Sequence, residues 1–293
     1  MTAVGPDPRV VERLRCPVCG EGLTITADGG QALRCPRRHS FDIARQGYVN
    51  LLTGRAPHLG DTTEMVAARA QFLAAGHYDI ISTALAEAAA RHLPSPPAGT
   101  ARAYPLVVDA GAGTGRHLAA VLAAVPAAVG LALDIAKPAV RRAARAHPRG
   151  SAALADTWQR LPLADASVAL LLNVFAPRNG PEFRRVIDPA GRLLVVTPTA
   201  EHLTELVDAL GLLRVDPAKV DRVAASLGDH FVEESSTVHR QELTLSHAEV
   251  ATLVGMGPSA WHADPAGLAD RIGGLGEPVR VRMAVRLGVY RPR

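Results

Sequence analysis

Cys16, Cys19, Cys35 and His39 are the residues whose types and spacing point most directly to chemistry. All three cysteines of the chain lie in CPVCGEGLTITADGGQALRCPRRHSFD, residues 16–42. An odd number of thiols cannot close into a set of disulfides, and their clustering suits metal ligation in a reducing compartment. Cys16-x2-Cys19 and Cys35-x3-His39 each form a short knuckle able to aim two ligands at one tetrahedral ion. Between the knuckles LTIT, ADGG and QALR predict a strand, a turn and a strand, which brings both to the base of a hairpin. Three thiolates and an imidazole leave no open position, so the expected zinc is structural; so short a segment cannot bury enough apolar surface to fold alone. Arg13, Arg15, Arg34, Arg37 and Arg38 surround the site and suit either phosphate contacts or a solvated basic face.

The second chemical motif is VVDAGAGTG, residues 107–115. Asp109, Gly111, Gly113 and Gly115 form D-x-G-x-G-x-G, whose glycines let the backbone turn tightly and approach a nucleoside closely. The dinucleotide fingerprint would place a further glycine at 116, where this chain has Arg116. Asp134, at the end of the next expected strand, can accept from both ribose hydroxyls, and Asp156, after the third, can sit beside an adenine amino group. The set favours S-adenosylmethionine over a nicotinamide cofactor, whose pyrophosphate wants the missing glycine. No metal-hydrolase signature, nucleophile elbow or Walker loop is present. His77, His147, His230 and His239 read as surface or structural histidines, and Ser246-x-x-Glu249 as a helix capping box. MGPSAWH, residues 256–262, contains Trp261, for which packing under a loop is the default.

These residues need a scaffold. LVVDA (106–110), VGLALD (129–134), SAALA (151–155), SVALLLN (167–173) and GRLLVVT (191–197) are short apolar runs, with helical stretches between several of them. Strands buried on both faces and joined by crossover helices predict an α/β fold with a doubly wound, Rossmann-like parallel sheet. VRVRMAVRLGVY, from Val279, alternates strictly and predicts a half-buried antiparallel strand at a sheet edge. A helical pattern over 63–93 breaks at Gly76, and PSPPAGTARAYP (94–105) reads as a linker. The expected organisation is a zinc-binding module over 1–50, a connecting helical segment over 51–98 and the α/β domain over 99–293.

The net charge of +4 and pI near 9.3 rest almost entirely on arginine, Lys137 and Lys219 being the only lysines. Such a balance permits a nucleic-acid partner without requiring one. Residues 1–15 do not read as a signal peptide, and the apolar run 118–133 is too short for a membrane span and is broken by Pro126 and Gly130. The expectation is a cytoplasmic protein.

CPVC, CPRRHSFD, ARQGYVNLL, DTTEMVAARAQFLAAGHYD, DAGAGTG, LDIAKPAV, NVFAPRN, VVTPTAEHL and MGPSAWH, in this order over nearly the whole chain, resemble the 23S rRNA guanine-N1 methyltransferases. KPAVRRAARAHPR, NVFAPRN and LVDALGLLRV are most similar to the macrolide (tylosin) resistance branch of that family. The resemblance implies a zinc ribbon-like module joined to a class I S-adenosylmethionine-dependent methyltransferase domain. It further implies a homodimer, 23S rRNA as partner rather than DNA or a membrane, and methylation of a hairpin 35 loop guanine, position 748 rather than 745. It carries the zinc ligands to Cys16, Cys19, Cys35 and His39, and cofactor contacts to Tyr78, Gly113, Thr114 and His202.

A guanine methylated at N1 must leave its stack and present its Watson-Crick edge. The expected base pocket is the NVFAPRN loop, with Asn173 orienting the base, Phe175 stacking on it and Arg178 stabilising charge on O6. Two other readings stand beside this one: a small-molecule methyltransferase whose zinc module serves assembly, and a non-catalytic zinc-ribbon RNA-binding protein.

Overall fold

The computed structural model describes residues 5–26, 30–54, 60–93, 104–213, 226–257 and 265–293. Most of the expected linker at 94–105 and the later part of MGPSAWH, Trp261 included, lie outside the described residues.

The chain opens with a short helix α1 (Pro8–Val11) and a three-stranded antiparallel ribbon, β1 (Thr24–Ile25), β2 (Ala32–Arg34) and β3 (Ser40–Asp42). After β4 (Val49–Asn50) come two helices, α2 (Thr63–Ala74) and α3 (Asp79–His92). Thr62 starts α2 by accepting from the Met65 amide at 3.2 Å, and the turn between the helices carries Gly76 at φ +85°.

A crossover series follows: β5 (Leu106–Ala110), α4 (Arg116–Ala124), β6 (Val129–Asp134), α5 (Lys137–Ala143), β7 (Gly150–Leu154), β8 (Val168–Val174), α6 (Gly180–Val186) and β9 (Ile187–Pro198). The chain ends through α7 (Thr204–Leu210), β10 (Phe231–Leu245), α8 (His247–Gly255), α9 (Pro265–Gly273) and β11 (Val279–Pro292). The eight-stranded sheet runs β4-β7-β6-β5-β8-β9-β11-β10. Pairings from β4 to β9 are parallel, and β11 is antiparallel to both β9 and β10. This is the α/β, doubly wound sheet expected from the sequence, and β5 and β6 have the bounds their apolar runs predicted.

Every residue of β5 is buried, because both faces of the sheet are covered. Val107 points to one core, shared with Phe72, Leu85, Leu122, Val140, Leu206 and Val250 from the helices. Leu106, Val108 and Ala110 point to the other, which is built from α1, α6 and the ribbon residues Cys16, Leu23, Leu33 and Cys35. The ribbon therefore covers one face of the large sheet.

The strand from Val279 corrects the expectation of a sheet edge. β11 pairs along its length with β10 on one side and meets β9 on the other, so the edge is β10. Alternation holds only in the first half of β11; from Met283 onward it is mostly buried, since both flanks are paired. Among the described residues no helix is long and apolar enough to cross a membrane.

Candidate active site and metal centre

The ribbon brings the four expected ligands together. Cys16 Sγ lies 3.6 Å and Cys35 Sγ 3.3 Å from His39 Nδ1, and Cys19 Sγ lies 3.7 Å from Cys35 Sγ. All four ligand atoms fall within 4.8 Å of one another. A tetrahedral zinc with Zn–S near ~2.3 Å requires sulfur separations of ~3.8 Å, so the donor set and spacing fit a closed zinc centre. The surrounding arginines divide. Arg13 donates to the carbonyls of Arg9 and Tyr104, and Arg15 to those of Glu12 and Leu14, whereas Arg34, Arg37 and Arg38 are exposed.

The second site lies at the carboxyl ends of β5 to β8, where an open α/β sheet changes winding direction and binds its ligands. Gly111, Gly113 and Gly115 all adopt positive φ, at +84°, +54° and +77°. At Gly111 a Cβ would sit 2.4 Å from Ala176 Cβ, so the loop and the NVFAPRN segment touch only because no side chain intervenes. Thr114 is half-buried in the same loop.

Asp134 buttresses that loop: its two carboxylate oxygens accept from the Gly113 and Ala136 amides, each at 2.8 Å. Burial raises its pKa, and those amides oppose the rise. Asp109 is 1% exposed, neither carboxylate oxygen has a hydrogen-bond partner among the described residues, and burial aided by nearby Asp134 pushes its pKa up to about 8. Asp156 accepts from the Trp158 amide at 2.9 Å through Oδ1, while the buried Oδ2 has no partner. Orphaned buried acceptors at the ends of β5 and β7, above a glycine loop, fit the amino groups of an adenosyl amino acid.

Tyr78, Phe175 and His202 form an aromatic cluster beside this loop, with ring centroids 6.0 to 6.3 Å apart. His202 Nδ1 accepts from the Ala284 amide at 3.2 Å, which puts the proton of the neutral ring on Nε2, 3.4 Å from the Tyr78 hydroxyl. Burial holds the Tyr78 phenol above its usual range, so it stays protonated at neutral pH. Phe175 and Leu203 are non-glycine residues at φ +52° and +57°, and Phe175 is 42% exposed. Among the described non-glycine residues Arg38 and Ala166 also have positive φ; what sets Phe175 apart is that its strained backbone presents an exposed aromatic ring beside the cleft.

Asn173 is fully buried at the end of β8. Its amide donates to the Ala110 carbonyl at 3.2 Å and to the Pro177 carbonyl at 2.8 Å, which fixes the rotamer and leaves Oδ1 as a buried acceptor without a partner. Arg178 Nη1 reaches the Ala176 carbonyl at 3.4 Å. Asn173 and Arg178 thus shape the loop that presents Phe175.

Sequence reasoning missed Asp61 and Arg69. They form an ion pair, Arg69 also donates to the Met256 carbonyl at 2.8 Å, and its Cδ and Nη1 lie 3.6 Å from where a Gly113 Cβ would stand. A Cβ placed on Gly60 would stand 3.0 Å from Ala136, so the two segments meet closely only because Gly60 has none. The only signal was DTTEMVAAR within the family resemblance, and spacing alone could not reveal that α2 lays Arg69 over the glycine loop. The expected roles hold at His77, whose Nε2 meets Glu249 Oε1 at 2.9 Å, and at Ser246 and Glu249, which form a capping box, whereas His239 Nε2 is buried without a partner among the described residues.

Residues 14–55 match the zinc-ribbon family model described as "RlmA, N-terminal". A Micromonospora griseorubida protein named as a 23S rRNA (guanine-N(1)-)-methyltransferase is 68% identical over 97% of this chain and 99% of its own length. This chain belongs to the 23S rRNA (guanine-N1)-methyltransferases. The Streptomyces fradiae 23S rRNA (guanine(748)-N(1))-methyltransferase is 51% identical over 97% of this chain and 98% of its own. A Bacillus subtilis member is 32% identical over 85% and 87%. Within the methyltransferase fold, the zinc ribbon and the carboxyl-end cleft are thus two sites on one sheet.

Proposed function

We propose that this protein methylates N1 of a guanine in the hairpin 35 loop of 23S rRNA, at the guanine-748 position, and so contributes to macrolide resistance of the tylosin type. The observation that carries the reading is the full-length, 51% likeness to the Streptomyces fradiae guanine-748 enzyme. Residues 1–50 act as the zinc-binding RNA module, 51–98 as a connection and 99–293 as the catalytic domain. The assembly is a homodimer, which light scattering tests: a molecular mass of one chain would refute it.

S-adenosylmethionine, when bound, supplies a methyl group on a sulfonium. Asp134 accepts from ribose hydroxyls with the lone pairs its two amide contacts leave, and Asp156 Oδ2 accepts from the adenine amino group. Gly111, Gly113, Thr114 and Gly115 allow the backbone to lie against the ligand, and Asp109 faces its α-ammonium. Tyr78 and His202 wall the reactive end, and Phe175, pushed out by its strained backbone, stacks on the splayed guanine. Asn173 Oδ1 accepts the N1 hydrogen in a hydrogen bond and water carries the proton away, while Arg178 stabilises charge on O6. Most of the acceleration would come from these residues holding the guanine against the bound methyl donor.

Primer extension on 23S rRNA tests the reading, because a methyl at N1 blocks base pairing. A single cofactor-dependent stop at position 748 is expected. No stop despite bound cofactor would favour a small-molecule substrate, and no cofactor binding would favour a non-catalytic RNA-binding protein. For the residue roles, Asn173→Ala and Arg178→Ala both retaining full single-turnover methylation would overturn the placement of the base.

A further inference from the structure

We infer that Arg69 is the receptor for the carboxylate of the cofactor's amino-acid moiety, with Asp61 holding the guanidinium in place until that carboxylate arrives. The inference rests on the S-adenosylmethionine reading above and extends it to a residue on α2, outside the sheet.

Asp134 ends β6 and Asp156 lies two residues beyond the end of β7, so an adenosine set between them runs its ribose toward β5 and its amino-acid tail onto the glycine loop. Over the middle of that loop the first foreign atoms are those of Arg69, whose Cδ and Nη1 lie 3.6 Å from the empty Cβ position of Gly113. At the start of the loop stands Asp109, buried and with both oxygens unpartnered. A cation above the loop and a carboxyl at its root match the two charges of a zwitterionic α-amino acid.

Arg69 is built to serve there. Its Nη2 is anchored on the Met256 carbonyl at 2.8 Å and its Nη1 pairs with Asp61. Two of its five donors are thereby used, and the fork remains planar and preorganised for a second carboxylate. Asp61 sits just before the Thr62 cap of α2, and neighbouring Gly60 is pressed against Ala136 beside Asp134. The strap 60–62 and Arg69 therefore close one side of the cleft together. The Asp61 carboxylate offsets the charge of a half-buried guanidinium in the empty site and competes with the ligand for it.

Calorimetry on the full chain with three probes decides the matter: S-adenosylmethionine, its decarboxylated form, and methylthioadenosine, which lacks the whole amino-acid tail. The wild-type protein is expected to bind S-adenosylmethionine about tenfold or more tightly than the decarboxylated form, the size of a charge-assisted hydrogen-bonded pair. In Arg69→Met that preference disappears while methylthioadenosine affinity stays unchanged; Arg69→Lys restores part of the preference. An undiminished preference in Arg69→Met overturns the inference, as does an equal weakening of all three ligands, which marks a purely structural residue. If Arg69→Met does not fold, Asp61→Asn decides: the asparagine Oδ1 still accepts from Arg69 and holds it while the competing charge is gone, so the preference should widen, and an unchanged or narrower one overturns the proposal. A wild-type protein that binds none of the three probes refutes the cofactor reading itself.

Discussion

Asp109 offers a direct physical test, because it is buried with both oxygens unpartnered among the described residues, and burial pushes its pKa up to about 8 from the ordinary 3.8 of an aspartate. The folded chain therefore holds one more proton than the unfolded chain between about pH 4 and pH 8. Where the folded state binds more protons, stability falls as pH rises, by up to about 1.4 kcal/mol per unit for one group. From pH 5 to 8 that amounts to ~4 kcal/mol as an upper bound. Asn at 109 keeps the shape and cannot ionise. Urea unfolding of wild type and Asp109→Asn at pH 5.5, 6.5, 7.5 and 8.5 reads the effect as a difference between curves, so any constant cost of the new amide drops out. The wild-type curve should lose ground to the variant steadily up to about pH 8 and then run parallel to it. Cofactor binding adds a second readout: pairing with an ammonium favours the carboxylate, so binding near pH 7 should release close to ~1 proton in wild type and none in the variant. Parallel unfolding curves and no proton release would refute a neutral, buried Asp109.

Three further outcomes follow from other residues. His117 is buried against Ser82 at 2.9 Å, and burial, with help from the charge of Arg116, lowers its pKa to about 4 from 6.5. Its folded pKa is depressed, so its contribution is present above pH 6.5 and lost as pH falls toward 4; His117→Asn should remove that acid-side loss, measured by the same urea series. Gly111→Ala places a Cβ at φ +84° and 2.4 Å from Ala176. A left-handed alanine costs roughly 1–2 kcal/mol, so a lower melting temperature is expected, and displacement of the Phe175 loop should reduce turnover at least about tenfold. Chelation or Cys35→Ser should release one zinc per chain and open residues 16–42 to proteases, because Leu23 and Leu33 pack on the sheet only while the ribbon is tied. A ribbon that resists protease after its zinc is gone would contradict this.

The parts of the fold legible in the sequence were those with one dominant environment. β5 and β6 are buried on both faces and read as continuous apolar runs, and the zinc ligands announce themselves by spacing. β10 was invisible because its middle, from Glu233 to Glu242, is largely exposed and shows no alternation. β11 misled because its alternating first half describes only the stretch before both flanks are paired. The same limit applies at the site. Asp109, Asp134 and Asp156 could be placed because strands end where apolar runs end. Arg69 could not, since its position over Gly113 depends on how α2 lies across the loop, and the donors of Asn173 proved committed to Ala110 and Pro177.

The two residues of β4 carry a consequence for how the chain is born. Val49 and Asn50 pair with Ala153 and Leu154, so this strand emerges from the ribosome roughly a hundred residues before its partner exists. The zinc knot just upstream can tie early, since its ligands are close in sequence, yet the apolar side it presents to β5 and β6 must wait. During synthesis the ribbon is a finished part without a seat, exposing Leu23 and Leu33, and its docking belongs among the late events of folding.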